Sequence, residues 1–210
     1  MAYPRRAIIV ALVLLGLGLG AGPAVAGEDA SRVVYEFVPG EHFVKVWPPG
    51  WHKAVDATGK DDKSYRTRWL PDGQGAGAAH DVMVLQIYSD ERFAGRDPKG
   101  VLRRMALAHK ESCETLFGSP VQGFSAEGFP AARILLVCPQ RSDAARGEVR
   151  VSHLVHGEAA AYLVSRVWKR PPFAEGELPI TTAALREGEA ELSIYSVCRA
   201  GHAGELCGGE

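Results

Sequence analysis

Hydrophobic and polar positions alternate in short blocks along most of this chain, and few blocks hold a helical period for long. Arg32 to Phe37 is rich in β-branched and aromatic side chains, which suits a strand. Phe43 to Val46 gives a second short strand, ended by Pro48-Pro49-Gly50 because neither proline can donate to a ladder. From Val55 to Ser64 the chain is polar, with Lys60-Asp61-Asp62-Lys63 as a solvated tip. Between Ser64 and Leu70, Tyr65, Thr67 and Trp69 alternate with Arg66 and Arg68, the period of a half-buried strand. Pro71 to Ala79 is glycine-rich and predicts a loop.

Asp81 to Tyr88 is nearly continuous in apolar residues and predicts a central strand covered on both faces. Asp97-Pro98 then looks like an N-cap followed by proline at the first helical position. The helix is expected to run to about Phe117, with Leu102, Met105, Ala106, His109, Cys113 and Leu116 on one stripe. Val121–Ser125, Phe129–Val137, Glu148–Val155 and Ala160–Trp168 follow as antiparallel strands, the last two joined by a turn at His156-Gly157-Glu158. Pro179 to Arg199 carries two patterns. Thr181, Leu185, Gly188, Leu192, Tyr195 and Cys198 share a helical stripe, while Glu189 to Ile194 also alternates as a strand would. The Ala, Glu and Leu content favours helix.

Strands outnumber helices and neighbours pair by hairpins. The expected class is α+β, with a mostly antiparallel central sheet flanked by two main helices in a single domain over residues 27–210.

Composition narrows the picture. The chain has 210 residues, 46% hydrophobic and 23% charged, which excludes a disordered, collagenous or polytopic membrane protein. A net charge of -1 gives no global field toward nucleic acid. Arg5-Arg6, the apolar stretch Ala7 to Gly22 and the small residues Ala24 and Ala26 together form a signal-peptide pattern over residues 1–26. The apolar stretch is shorter than the roughly 20 residues a membrane-spanning helix needs. Export to the periplasm or the extracellular space is therefore expected, with no stable membrane insertion after cleavage.

An oxidising destination makes Cys113, Cys138, Cys198 and Cys207 disulfide candidates. Three connectivities are possible. Cys198 and Cys207 flank a glycine-rich tail that folds back easily, which leaves Cys113 with Cys138. The competing reading is a metal site, since Cys198, His202 and Cys207 offer three ligands, though without a CxxC pair or a clear fourth ligand.

The strand followed by Val46-Trp47-Pro48-Pro49-Gly50-Trp51, and the later Gly128-Phe129-Pro130, resemble the corresponding elements of PsbP-like domains. That resemblance implies a central antiparallel sheet with a helix packed across it, and a non-catalytic binding or assembly role. It transfers no functional residue.

Catalytic motifs are scarce. Gly123-Phe124-Ser125-Ala126-Glu127-Gly128 is one residue too long for a nucleophile elbow and sits in a hairpin, so Ser125 is a weak hydrolase candidate. No phosphate-binding loop, dinucleotide fingerprint or HExxH motif occurs, and no cofactor is expected. His153 and His156 are an odd number of strand positions apart and so fall on opposite faces. His109 with Cys113, and His42 with His52, are the remaining metal-ligand pairings considered. Phe43, Trp47, Trp51 and Trp69 form an aromatic cluster with two readings. Exposed, it would anchor an unknown protein partner or a small apolar ligand. Buried, it closes one end of the sheet. The basic run Arg166 to Arg170 likewise suits an anion or a solvated strand end.

Overall fold

The computed structural model describes residues 31–58, 63–89, 93, 96–199 and 207. The region assigned to the signal peptide, the tip at Lys60-Asp61-Asp62 and His202 lie outside the described residues.

Two sheets carry the fold, and every pairing in them is antiparallel. The small sheet has the order β1-β2-β11, formed by β1 (Ser31–Val38), β2 (Glu41–Trp47) and β11 (Tyr195–Arg199). The large sheet begins with β3 (Trp51–Thr58), β4 (Ser64–Pro71) and β5 (Asp81–Tyr88). It continues through β10 (Ala161–Arg170), β9 (Gly147–His156), β8 (Phe129–Cys138) and the two-residue β6 (Phe117–Gly118). β7 (Gln122–Ala126) also pairs with β8. The α+β class with a mainly antiparallel sheet and two helices is therefore the observed one.

Strand alternation sorts side chains between two cores. On the face of the large sheet turned to the small one, Tyr65, Met83, Leu85, Val149, Val151, Tyr162, Val164 and Trp168 meet Tyr35, Phe43, Trp47 and Val197. Helix α2 (Thr182–Ser193) closes that layer through Leu192. Gly188 sits so close to Trp168 that a Cβ there would lie 2.6 Å from the indole. On the opposite face, helix α1 (Pro98–Lys110) packs Val101 and Leu102 against Ile134, Leu136, Leu154 and Leu163. Beside α1 on that face, Val82 and Val84 of β5 and Val167 of β10 are buried with Leu70 and Ala79, so both faces of these central strands carry apolar residues and their runs are long.

Three expectations need correction. Residues 51–58 form β3, an edge strand mostly exposed along its length, so its polar sequence lacks the alternation of a half-buried strand. α1 stops at Lys110 instead of about Phe117. The Ser112 hydroxyl donates to the His109 carbonyl, and Glu114 N donates to Gln140 O, diverting the backbone from the helix. Cys113 therefore lies in the turn after α1. Finally, residues 179–199 contain both patterns in succession. Thr181 Oγ1 caps α2 by accepting from Ala184 N, and the chain then re-enters the small sheet as β11.

Candidate binding face

The aromatic cluster is interior. Trp47 and Trp69 stack with ring centroids 4.5 Å apart, and Phe43 lies 4.7 Å from Tyr162 and 5.5 Å from Tyr195. The Trp47 indole N–H donates to the Tyr35 hydroxyl at 3.1 Å, so its polar edge is satisfied inside. Phe43, Trp47 and Trp69 are buried and offer no surface to a partner. Trp51 is half-buried, with the Arg166 guanidinium 4.1 Å from its ring centroid.

Two buried charges tie the small sheet to its surroundings. The Lys45 ammonium donates to Val46 O, Glu191 O and Ile194 O, two of these carbonyls lying at the carboxy-terminal end of α2. Burial nonetheless pulls its pKa down to about 7. The Glu41 carboxylate accepts from the backbone N–H groups of Glu158, Ala159 and Ala160 and from the Tyr162 hydroxyl. Gly157 is required beside it, because a Cβ there would overlap the carboxylate. Both groups are fully occupied in joining elements.

The cysteines pair as Cys113–Cys138 and Cys198–Cys207, with Cα separations of 5.7 and 5.4 Å. Their sulfurs are paired with one another, so none of the four is a free thiolate for the metal alternative. Among the described residues, no three His, Cys, Asp or Glu side chains are grouped to hold a metal ion. His42 lies on β2, in the small sheet, and His52 on β3, in the large one, where it meets Asp72 at 3.1 Å. His153 and His156 do occupy opposite faces. His153 stands edge-on to Phe124 and Tyr195, whereas His156 lies beside Arg96 and Asp97 at the start of α1. Ser125 is exposed on β7 opposite Pro130. The basic run divides by parity. Arg166 faces Trp51, and Arg170 donates to the Asp81 carboxylate, while Lys169 points to the other side of the sheet.

That other side, shared with α1, gathers several cations. The register places Arg68, Val84, Ser165, Ser152 and Ile134 in one row across β4, β5, β10, β9 and β8. Arg66, Gln86, Leu163 and Leu154 make the next row, and Val82, Val167 and Arg150 the row on its other flank. Burial and the like charges of Arg68 and Arg150 oppose the Arg66 guanidinium and lower its pKa. Lys169 is lowered by burial and by Arg146, Arg68 and Arg150, with Glu148 acting the other way.

Glu148 is the buried acid of this face. Burial disfavours its charge, but Arg150, His109 and Arg141 outweigh that and hold its pKa below the usual carboxylate range. It accepts from Arg150 at 2.9 Å and lies 3.7 Å from Arg141, which itself grips Asp143 at 2.7 Å. The acids are therefore used on Arg150 and Arg141. Among the described residues, Arg66, Arg68, Arg146 and Lys169 have no carboxylate within ion-pair distance, and the buried Nε atoms of Arg66 and Arg146 lack a hydrogen-bond acceptor. The alternation of β4 placed Arg66 and Arg68 on one face from sequence. Their convergence with Arg150 and Lys169 depends on strand order, which no local pattern encodes.

No family model matches the chain, and no curated protein matches it. Among solved structures it is similar to the Ran-binding protein Mog1p of Saccharomyces cerevisiae, at 12% identity over 77% of this chain and 93% of that one, with a TM-score of 0.48. It is also similar to cyanobacterial PsbP from Synechocystis, at 12% identity over 86% and 99%, with a TM-score of 0.49. LpqN of Mycobacterium tuberculosis, involved in cell envelope biogenesis, is similar at 12% identity over 76% and 86%, with a TM-score of 0.38. Likeness at this level concerns the course of the backbone and says nothing of what the chain binds.

Proposed function

We propose that this protein is an exported, non-catalytic accessory module of PsbP-like arrangement. It is locked by two disulfides and binds an anionic partner on the α1 side of the large sheet. One observation carries the reading: Arg68 and Arg150 stand near Arg66, and Arg146, Arg68 and Arg150 near Lys169, and among the described residues Arg66, Arg68, Arg146 and Lys169 have no carboxylate of their own. Like charges held together at half-buried positions oppose folding, so nothing in the stability of the chain accounts for the grouping. An incoming anion does. The paired cysteines and the signal-peptide pattern support an oxidising destination. No helix among the described residues is long and apolar enough to cross a membrane.

Two measurements test this reading independently. Mass analysis of protein alkylated in its native compartment is expected to find residues 1–26 absent and no free thiols. Full-length material with four reduced thiols overturns the export half. In a thermal-shift series, phosphate is expected to raise the Tm of the wild-type protein more than that of an Arg66→Gln, Arg68→Gln variant. Equal shifts overturn the anion half.

A further inference from the structure

A cleft of about 310 Å³ opens beside the cationic face, between α1 and the large sheet. We propose that this cleft takes a single-chain carboxylic acid, its alkyl chain lying under α1 and its carboxylate reaching Arg150 and Arg66. The inference rests on the anion-binding reading above and names the ligand's chemical class.

The walls of the cleft separate by polarity. Leu102 and Met105 from α1 face Ile134, Leu136 and Leu163 of the sheet, giving an apolar slot. Its polar lining comes from His109, Ser112, Arg150 and Ser152, the Ser112 hydroxyl already donating to the His109 carbonyl. Ser152 and Ser165 satisfy one another at 2.8 Å, so they line the slot without demanding a polar ligand. Arg150 belongs both to the cleft and to the cationic group, and it is the residue that joins the two. The buried Nε of Arg66 still lacks an acceptor, and a carboxylate supplies one. Tyr88 lies within the field of Arg66 and Arg150 and can donate its hydroxyl to the same head group.

Size and charge exclude the simpler ligands. The volume is roughly twice that of the ~150 Å³ apolar cavity known to hold benzene, ample for a medium-length alkyl chain. A small inorganic anion would leave the slot empty, and a neutral hydrocarbon would leave the buried Nε of Arg66 without an acceptor. A ligand with both an apolar tail and an acid head meets both needs at once.

Isothermal titration of the intact, disulfide-bonded protein tests the assignment with octanoate, acetate and octan-1-ol. Octanoate is expected to bind one to one, at least tenfold more tightly than either of the others. An Arg66→Gln, Arg68→Gln variant should lose at least tenfold in octanoate affinity. Ala108→Trp, at an exposed helix position on the rim of the cleft, should abolish octanoate binding while leaving the phosphate-induced Tm rise intact. Octan-1-ol binding as tightly as octanoate overturns the role of the arginines. Acetate binding as tightly as octanoate, or an Ala108→Trp variant with wild-type affinity, overturns the role of the slot. A phosphate shift without octanoate binding overturns the ligand class and leaves anion binding standing. Loss of both removes the anion-binding reading itself.

Discussion

His153 is the clearest case of a side chain whose protonation state the fold dictates. It is buried between Phe124 and Tyr195, and neither ring nitrogen has a hydrogen-bond partner. Burial, reinforced by the cations Arg133 and Lys45, pushes its pKa down to about 4. An unfolded histidine titrates near 6.5. Between those values the unfolded chain binds a proton that the folded chain refuses, so stability falls as pH drops from 6.5 toward 4. The expected loss from this group is on the order of 2–3 kcal/mol, and His153→Gln should flatten it. Urea unfolding at pH 7, 5.5 and 4 measures the effect. An unchanged pH slope in the variant would assign acid sensitivity elsewhere. Lys45 and Glu41 make the companion point that a charge can be buried when carbonyls or backbone N–H groups surround it.

At the scale of elements, the two disulfides fasten very different pieces. Cys113–Cys138 spans 25 positions and ties the turn after α1 to the end of β8, whereas Cys198–Cys207 spans nine at the end of β11. Chain entropy then assigns about 3.5 kcal/mol to the first and about 2.6 to the second. Serine pairs replacing each disulfide, compared by guanidinium unfolding, should show that order, and a larger loss from the tail pair would contradict it. Most strands are legible in sequence because their patterns are local, whereas the four cysteines are legible only as disulfide candidates with three possible connectivities. A run such as Asp81–Tyr88 carries its burial in its composition. β3 escaped because an exposed edge strand needs no apolar residues of its own. The stripe through Cys113 and Leu116 continues in sequence after Ser112 has turned the backbone, so the pattern predicts a longer α1 than the fold contains. Residues 179–199 gave two signals because they hold two elements, with Ile194 between them.

For the whole molecule, the cations on the α1 side of the large sheet set the proposed anion binding against stability. Replacing Arg66 and Arg68 by glutamine removes repulsion around Arg150, so the unliganded variant should match the wild type or exceed it by up to about 1 kcal/mol. Its urea midpoint decides the matter, and a loss greater than that would make the arginines structural. The rings of the aromatic cluster are large and close together in sequence, and size predicts interior packing as readily as contact with a partner. The cationic face was legible only as the Arg66/Arg68 pair, since Arg150 and Lys169 come from strands far along the chain that the topology brings alongside.

The seating of β2 between β1 and β11 bears on how the chain reaches this form. One edge of β2 finds its neighbour within a few residues, yet the Lys45 ammonium awaits a carbonyl 146 positions downstream. A polypeptide emerging amino terminus first therefore holds an unfinished ribbon, with Lys45 still hydrated, until α2 and β11 have appeared. Long-range closure of this kind is slow. The small sheet is therefore completed only once α2 and β11 are in place.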